Sequence, residues 1–139
     1  MSVGIKLIFA GNCQEAVSFY AKAFEQDIPD FLTYAGWKSN DPNYLVSDKM
    51  RSRVRSTIMN IAGSSVELCD TPDGYGFICG NNMQLTVTYE NPDEARAVFD
   101  RLSEAGQVDA VFQQTHDGRY YGLVEDRFQI SWAIQACHC

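Results

Sequence analysis

A strand–turn–helix pattern that occurs twice in this chain restricts its fold more than any other feature. In the first copy, Ile5, Leu7 and Phe9 alternate with their neighbours as the residues of a strand do. Apolar residues at helical spacing follow over residues 12–24, and Asn12 is a favourable N-cap residue. The chain is therefore predicted to open with a strand, a tight turn and an amphipathic helix.

The second copy repeats this order with different residues. Residues 83–89 predict a strand, and Asn91 and Pro92 predict the N-cap and first position of a helix. An apolar stripe covers residues 95–102, and Gly106 is expected to end the helix. The two copies share a pattern and few identical residues.

Segments with period-two alternation and turn signals predict the remaining structure. Residues 35–52 lack a clean period and predict a long surface loop of the kind that often acts as a lid. Residues 70–82, rich in Gly, Asn and Pro, predict a linker. Six further strands are expected over residues 28–34, 54–61, 65–69, 109–114, 120–125 and 128–134.

The element order is thus β-α-β-β-β twice, which predicts an α+β fold. We expect one domain built from two βαβββ modules, about residues 1–80 and 81–139. Hairpins join most strands, and the helices are too few for every connection to be a parallel crossover, so the sheets should be mixed. Each sheet is expected to curl into a half-barrel whose helix covers the outer face. The concave faces are then the default ligand sites.

Composition excludes several classes of partner. The formal net charge of -7 argues against nucleic acid or an anionic membrane as the main partner. No apolar run approaches the ~20 residues of a membrane span. The N-terminus lacks the basic-then-apolar layout of a signal peptide. We therefore expect a cytoplasmic protein with no nucleic-acid or membrane partner.

The cysteines do not form a recognisable metal or redox motif. They are odd in number and include no CxxC pair, which excludes a zinc ribbon or a thioredoxin motif. Cys13, Cys69 and Cys79 are expected to be ordinary reduced thiols. The sequence Cys137-His138-Cys139 offers three ligand types at the chain end, where we expect an inert tail.

Three motifs resemble those of one superfamily. They are F-A-G-N-C-x-E-A-x-x-F-Y from Phe9, I-A-G-S-x-V-E-L-C-D from Ile61, and a closing run from Gln114 to Ile134 that contains T-H-D-G-R-Y-Y-G. Together they resemble the vicinal oxygen chelate superfamily of glyoxalases, extradiol dioxygenases and bleomycin-resistance proteins. Within it, the chain looks most like the PhnB-like branch, whose members are often labelled glyoxalase-like or demethylubiquinone methyltransferase-like. The resemblance implies the doubled-module fold and a homodimer whose paired modules complete each other's cleft.

The resemblance also implies where a divalent metal would be held. Matching the motifs places the four ligand positions on Ile5, Glu67, Asn82 (or Gln84 with a shifted register) and Ala133. Only Glu67 is a normal ligand, whereas such a site needs at least three protein ligands. We therefore expect no metal ligands and no cofactor. The methyltransferase label has no support either, because the chain lacks a glycine-rich strand-to-helix loop for a nucleotide-like cofactor.

Glu67 is the candidate catalytic residue. Val66 and Leu68 are expected to face the helix, which directs Glu67 into the cleft as a base, a ligand or a hydrogen-bond acceptor. The alternative is a solvated carboxylate at the rim of the sheet.

The other candidates are ligand-binding residues. Alternation over residues 82–89 gives one polar face, which fits a wet cleft or the ordinary surface of an antiparallel strand. The turn after residue 115 offers an imidazole, a guanidinium and a phenol for an anionic or aromatic ligand, unless these side chains are simply exposed. The candidate set is Phe9, Asn82, Gln84, Thr86, His116, Arg119, Tyr120 and Ser131.

Three functions remain open on this basis. The first is a small protein that binds an organic ligand in a half-barrel cleft without the usual metal site. The second is a metal-dependent lyase, isomerase or dioxygenase that uses Glu67 with unusual ligands such as Gln84 or His116. The third is a non-catalytic protein that sequesters a drug or metabolite.

Overall fold

The computed structural model describes residues 1–38, 40–43, 45–72 and 74–137. It contains two helices, α1 (Cys13–Ala23) and α2 (Pro92–Leu102). No helix within the described ranges is long and apolar enough to cross a membrane. The strands are β1 (Ile5–Phe9), β2 (Leu32–Thr33), β3 (Val54–Ile61), β4 (Ser64–Asp70), β5 (Leu85–Tyr89), β6 (Gln107–Gln114), β7 (Tyr120–Glu125) and β8 (Ser131–Ala136).

The strands form two four-stranded sheets with the same topology. Their orders are β1-β4-β3-β2 and β5-β8-β7-β6. In each sheet the pair that flanks the crossover, β1–β4 or β5–β8, is parallel, and the other pairs are antiparallel. This arrangement confirms the α+β prediction, the doubled βαβββ order and the mixed sheets. The chain divides into two compact units, unit 1 (Met1–Ile78) and unit 2 (from Cys79 onward).

Most predicted elements are present. The bounds of β4, β5 and β6 differ from the predicted ones by one or two residues, and two other strands differ more. The strand expected over 28–34 is only Leu32–Thr33. The last strand begins at Ser131 rather than at residue 128. The buried carboxylate of Asp126 explains the later start, because its Oδ1 accepts hydrogen bonds from the amides of Phe128 and Ile130. Those amides belong to a turn and are not available to a neighbouring strand.

In unit 1, α1 covers one face of the sheet. Its apolar stripe includes Ala16, Val17 and Tyr20, which are fully buried. From the sheet, Leu7 and Leu68 are paired neighbours in β1 and β4 and are buried on the same face. The core of unit 1 therefore lies between α1 and this face of the sheet.

The N-terminus of α1 is capped from a distant strand, which corrects the sequence prediction. Asn12 occupies the N-cap position but makes no side-chain capping bond. Instead, Oδ1 of the buried Asp70 accepts hydrogen bonds from the amides of Gly11 (2.9 Å) and Cys13 (3.0 Å). Asp70 Oδ2 accepts a third from the amide of Val54 at 2.9 Å. One carboxylate at the end of β4 thus ties α1 to β3 and satisfies amides that would otherwise be buried unpaired.

The second helix begins as predicted. The side chain of Asn91 accepts a hydrogen bond from the amide of Asp93 at 2.8 Å, and Pro92 occupies the first helical turn. Its end differs from the prediction, because the left-handed residue after the helix is Ala105, at φ 57°, and not Gly106. Gly106 is needed for a close approach, since a Cβ there would lie 2.4 Å from the carbonyl oxygen of Glu125.

An aromatic cluster packs beneath α2. Phe99 of α2 contacts Phe112 of β6 at a centroid distance of 5.7 Å, and Phe112 stacks on Tyr120 at 6.0 Å. Trp132 is 1% exposed, and its indole Nε1 donates to Asp126 Oδ2 at 2.8 Å. The core of unit 2 therefore lies on the α2 side of its sheet.

Candidate functional site

Unit 1 has one sheet face covered by α1 and a second face that points away from it. Val66 and Leu68 are buried on the helix side, so the intervening Glu67 points to the other side, as predicted. We call this second side the open face. Strand pairing and alternation assign it side chains from four strands, among them Lys6, Ile8, Leu32, Ser56, Ile58, Glu67 and Cys69.

Glu67 lies at the centre of the open face, between two polar neighbours. Lys6, its partner across the β1–β4 pair, places Nζ 3.7 Å from Glu67 Oε1. Ser56 donates its hydroxyl to the same oxygen at 3.4 Å. Within the described residues no donor bonds the second oxygen, Oε2, which leaves one carboxylate oxygen available to a ligand. The Lys6 and Glu67 side chains are 45% and 39% exposed, so water or a ligand can reach both.

Apolar side chains surround this polar centre. Ile58 is paired with Glu67 and is 64% exposed, and Ile8 is 48% exposed. Leu32, paired with Ser56, is 42% exposed. Large aliphatic side chains exposed together around a few polar groups are typical of a binding surface.

Cys69 lies beside this centre but is only 6% exposed. Burial is the main cause that raises the pKa of its thiol, and the charges of Glu67 and Asp70 add to the effect. The cations of Lys6 and Arg55 oppose it, which places both cations near the thiol. The Arg55 guanidinium is itself held over the Trp37 ring at 4.7 Å. Cys69 is therefore a neutral thiol and a weak nucleophile.

The structure corrects two of the four positions expected for metal ligands. Ile5 pairs with Val66 on the helix side, so the β1 residue beside Glu67 on the open face is Lys6. In unit 2 the corresponding strand pair is β5–β8, where Ala133 pairs with Thr86. Thr86, rather than Asn82 or Gln84, therefore occupies the equivalent position.

The residues around Glu67 do not fit a divalent metal. The ammonium group of Lys6 has no lone pair to donate and would repel a cation. Ser56 is a neutral hydroxyl, and a metal needs several carboxylate, imidazole or thiolate ligands. Across the ranges that the structure describes, no three His, Cys, Asp or Glu side chains come together in a way that could hold a metal ion.

Unit 2 has an open face of its own, and its chemistry differs. Thr86, Ser131 and Ala133 lie on the side of the sheet away from α2, as pairing with β5 and β7 shows. On the same side, Gln135 donates its amide to the hydroxyl of Thr88 at 2.8 Å. This face displays hydroxyl and amide groups. Asn82 and Gln84 precede β5 and are exposed.

Phe9 and Tyr120, expected to be ligand-binding residues, lie on the helix side of their sheets rather than on the open faces. Phe9 is 2% exposed and pairs with Asp70, the residue that caps α1. Tyr120 pairs with Ala136 on the α2 side and stacks on Phe112. Both side chains belong to the helix-side cores, because strand alternation places them there.

His116 and Arg119 lie at the exposed tip of the β6–β7 hairpin. The hydroxyl of Thr115 donates to the carboxylate of Asp117, and Arg119 contacts that carboxylate at 3.7 Å. The Thr115 hydrogen bond is the main cause that lowers the pKa of Asp117, and the Arg119 amide adds to it. Arg119 is therefore partly engaged in holding the turn.

Sequence reasoning missed the neighbours of Glu67. Lys6, Ile8 and Ile58 belong to no recognisable motif. Only the alternation of β1 and β3 predicts which face of the sheet they lie on. The pairing register decides which of them lies beside Glu67, and register follows from the fold. His138 and Cys139 lie outside the described residues, so the predicted inert tail is not described beyond Cys137.

Comparisons with known proteins agree with this architecture. The family described as 3-demethylubiquinone-9 3-methyltransferase matches residues 2–135. Protein YjdN of Escherichia coli K12 is 23% identical over 134 residues, which cover 92% of this chain and 90% of YjdN.

Two solved structures show the same fold. Protein PA1353 from Pseudomonas aeruginosa has a TM-score of 0.81 at 21% identity, covering 98% of this chain and 97% of that one. The PhnB protein from Bacillus cereus has a TM-score of 0.71 at 21% identity, covering 99% and 100%. A protein of the glyoxalase/bleomycin resistance/dioxygenase type shares the fold as well. The chain therefore belongs to the family described as 3-demethylubiquinone-9 3-methyltransferase.

Proposed function

We propose that this protein binds a small organic ligand on the open face of unit 1, without the metal centre typical of glyoxalases. The observation that carries the proposal is the position of Glu67, a partly exposed carboxylate in the middle of a sheet face with exposed Ile8, Ile58 and Leu32. An apolar surface with a few convergent polar groups suits a small ligand that has an apolar body and at least one polar end.

Glu67 is the residue best placed to act on such a ligand. Lys6 and Ser56 both contact Oε1 of Glu67, which restricts the orientation of the carboxylate. Oε2 is left to contact the ligand. In that geometry Glu67 can accept a hydrogen bond or a proton from the ligand. A ligand bound separately on the open face of unit 2 would meet the hydroxyls of Thr86 and Ser131.

We propose a homodimer in the cytoplasm. Exposed apolar side chains at Tyr75, Ile78 and Met83 support association of two chains.

A ligand screen by thermal shift, carried out with EDTA present, tests the binding proposal. Compounds that stabilise the protein are then titrated against the Ile58→Glu variant, which places a charge on the open face. Ile28→Glu is the matched control, because Ile28 is similarly exposed, at 56%, but lies outside the strands. We expect Ile58→Glu to abolish binding and Ile28→Glu to preserve it. Equal binding by both variants would place the ligand elsewhere.

Elemental analysis separately tests the proposal that the site holds no metal ion. Protein purified without a metal-chelating column is titrated with nickel, zinc, manganese and iron. We expect no stoichiometric metal, because a cation at Glu67 would face the ammonium of Lys6. Stoichiometric metal that is lost in Glu67→Ala would establish a metal-dependent enzyme instead.

A further inference from the structure

We infer that the ligand of the open face of unit 1 is a small organic anion and that Lys6 binds its anionic group. This inference rests on the proposed ligand-binding function and names its ligand class. Lys6 occupies the strand position directly across from Glu67, where a metal site would need a ligand atom. Its ammonium instead places a fixed positive charge at that point of the face.

The Lys6–Glu67 pair contributes little to folding. The N–O distance is 3.7 Å and both side chains are more than a third exposed. Exposed ion pairs of this kind contribute little to stability. Lys6 also has no described bond other than this contact. Its charge therefore remains available to a ligand.

A second cation lies close to the same place. Arg55 and Lys6 both act on the Cys69 thiol, so the two cations lie near one point of the sheet. Stacking on Trp37 holds the Arg55 guanidinium in position. The opposing charge on the open face is Glu67, since the Asp70 carboxylate accepts three amide bonds on the helix side. The charges of Lys6 and Arg55 therefore both act on the thiol of Cys69, in a chain of net charge -7.

The apolar neighbours define the rest of the ligand. Ile8 follows Lys6 on the same side of β1, and Ile58 lies across from Glu67 on β3. Their exposed side chains would cover an apolar body once its anionic group is held by Lys6. A carboxylate attached to an aromatic or aliphatic group matches this combination of charge and apolar surface.

Matched pairs of acids and amides test the inference. The probes are phenylacetate with phenylacetamide, and hexanoate with hexanamide, titrated at millimolar concentration in EDTA by ligand-observed NMR. We expect each acid to bind at least about tenfold more tightly than its amide, because an ammonium–carboxylate hydrogen bond is stronger than a neutral one. Lys6→Met should reduce acid binding by about tenfold or more, and Lys6→Arg should keep it within about threefold. Lys22→Met is the control, because Lys22 is an exposed lysine in the last turn of α1.

Glu67→Gln is expected to change the affinity for acids in the direction opposite to Lys6→Met. It removes the like charge beside the site and releases Lys6, so acid binding should become tighter. Equal binding of acids and amides, both abolished by Ile58→Glu, would overturn the anion inference and leave the proposed function intact. If no acid and no amide bound, the anion inference would also fail. If the ligand screen failed as well, the proposed function would fail with it.

Discussion

At the scale of single residues, buried polar groups do most to fix the structure of each unit. Asp70 is 1% exposed and joins three segments that are far apart in sequence through Gly11, Cys13 and Val54. Asp126 acts locally in unit 2, where its carboxylate holds a turn and the Trp132 indole within six residues of the chain. Each carboxylate is satisfied by amide or indole N–H groups, which makes a buried charge tolerable.

Replacing Asp70 by Asn is expected to destabilise the protein by about 3 kcal/mol. The new amide nitrogen would face a backbone N–H in place of an acceptor, and the remaining bonds would lose their charge. Urea unfolding followed by circular dichroism measures the loss. Asp27→Asn, at an exposed aspartate, should stay within about 0.5 kcal/mol of the parent. Equal stability of Asp70→Asn and the parent would contradict the capping role.

The buried thiol of Cys13 predicts a pH dependence of stability. Burial, with added effects of Asp70 and Cys69, raises the pKa of Cys13 above its ordinary value of 9.0. Above pH 9.0 the unfolded chain therefore releases this proton while the folded chain keeps it, so the free energy of unfolding falls as the pH rises. At one pH unit above that value the loss is about 1 kcal/mol.

Comparison with Cys13→Ala isolates this contribution. The variant loses packing at every pH but has no thiol to ionise. The difference in unfolding free energy between the parent and the variant should therefore narrow from neutral to alkaline pH, as measured by urea unfolding. A difference that stays constant with pH would show that the thiol does not contribute.

At the scale of elements, the two helices have the same place in their units and begin by different means. Asn91 caps α2 with its own side chain, while α1 relies on Asp70 from β4. The sequence gives both helices an Asn at the N-cap, so it predicts equal capping. Competition from a better-placed carboxylate leaves Asn12 without that bond.

This difference gives a paired prediction. Asn91→Ala should cost about 1 kcal/mol, because the amide of Asp93 loses its acceptor. Asn12→Ala should lower the free energy of unfolding by only a few tenths of a kcal/mol, because the Asn12 side chain makes no capping bond. Chemical denaturation of the two variants side by side checks the order. A larger loss for Asn12→Ala would mean that its side chain caps α1 after all.

At the scale of the whole molecule, each unit buries one sheet face beneath a helix and leaves the other exposed. The exposed faces carry the candidate ligand chemistry. The segment around the boundary of the units displays further apolar side chains, with Ile78 at 91% and Met83 at 82% exposure. Large apolar side chains that are exposed together are typical of a surface that is covered when two chains associate.

Light scattering after size-exclusion chromatography tests the homodimer. We expect a mass twice the chain mass of 15.6 kDa. The double change Ile78→Asp and Met83→Asp should shift the mass to that of one chain, because it places charges on the apolar segment. Ile28→Asp, at a similarly exposed isoleucine elsewhere, should leave the dimer intact. A parent protein with the mass of one chain would refute the dimer.

Local patterns were sufficient for most of the fold. Alternation and helical spacing predicted β3 and β7 with the bounds observed, α1 to within a residue, the start of α2, and the outward direction of Glu67. They failed where the carboxylate of a buried aspartate accepts hydrogen bonds from backbone amides. Asp126 delays the start of β8, and Asp70 replaces Asn12 as the cap of α1.

The sequence by itself determined the doubled α+β order, the family and the face on which Glu67 lies, because all of these follow from local periodicity and motif. Only the tertiary structure decided that Lys6 and Ser56 are the neighbours of Glu67, and that Phe9 and Tyr120 lie in the cores. The physical reason is strand register. Local spacing sets which side of a strand a residue faces, while pairing with a distant strand sets what it faces there.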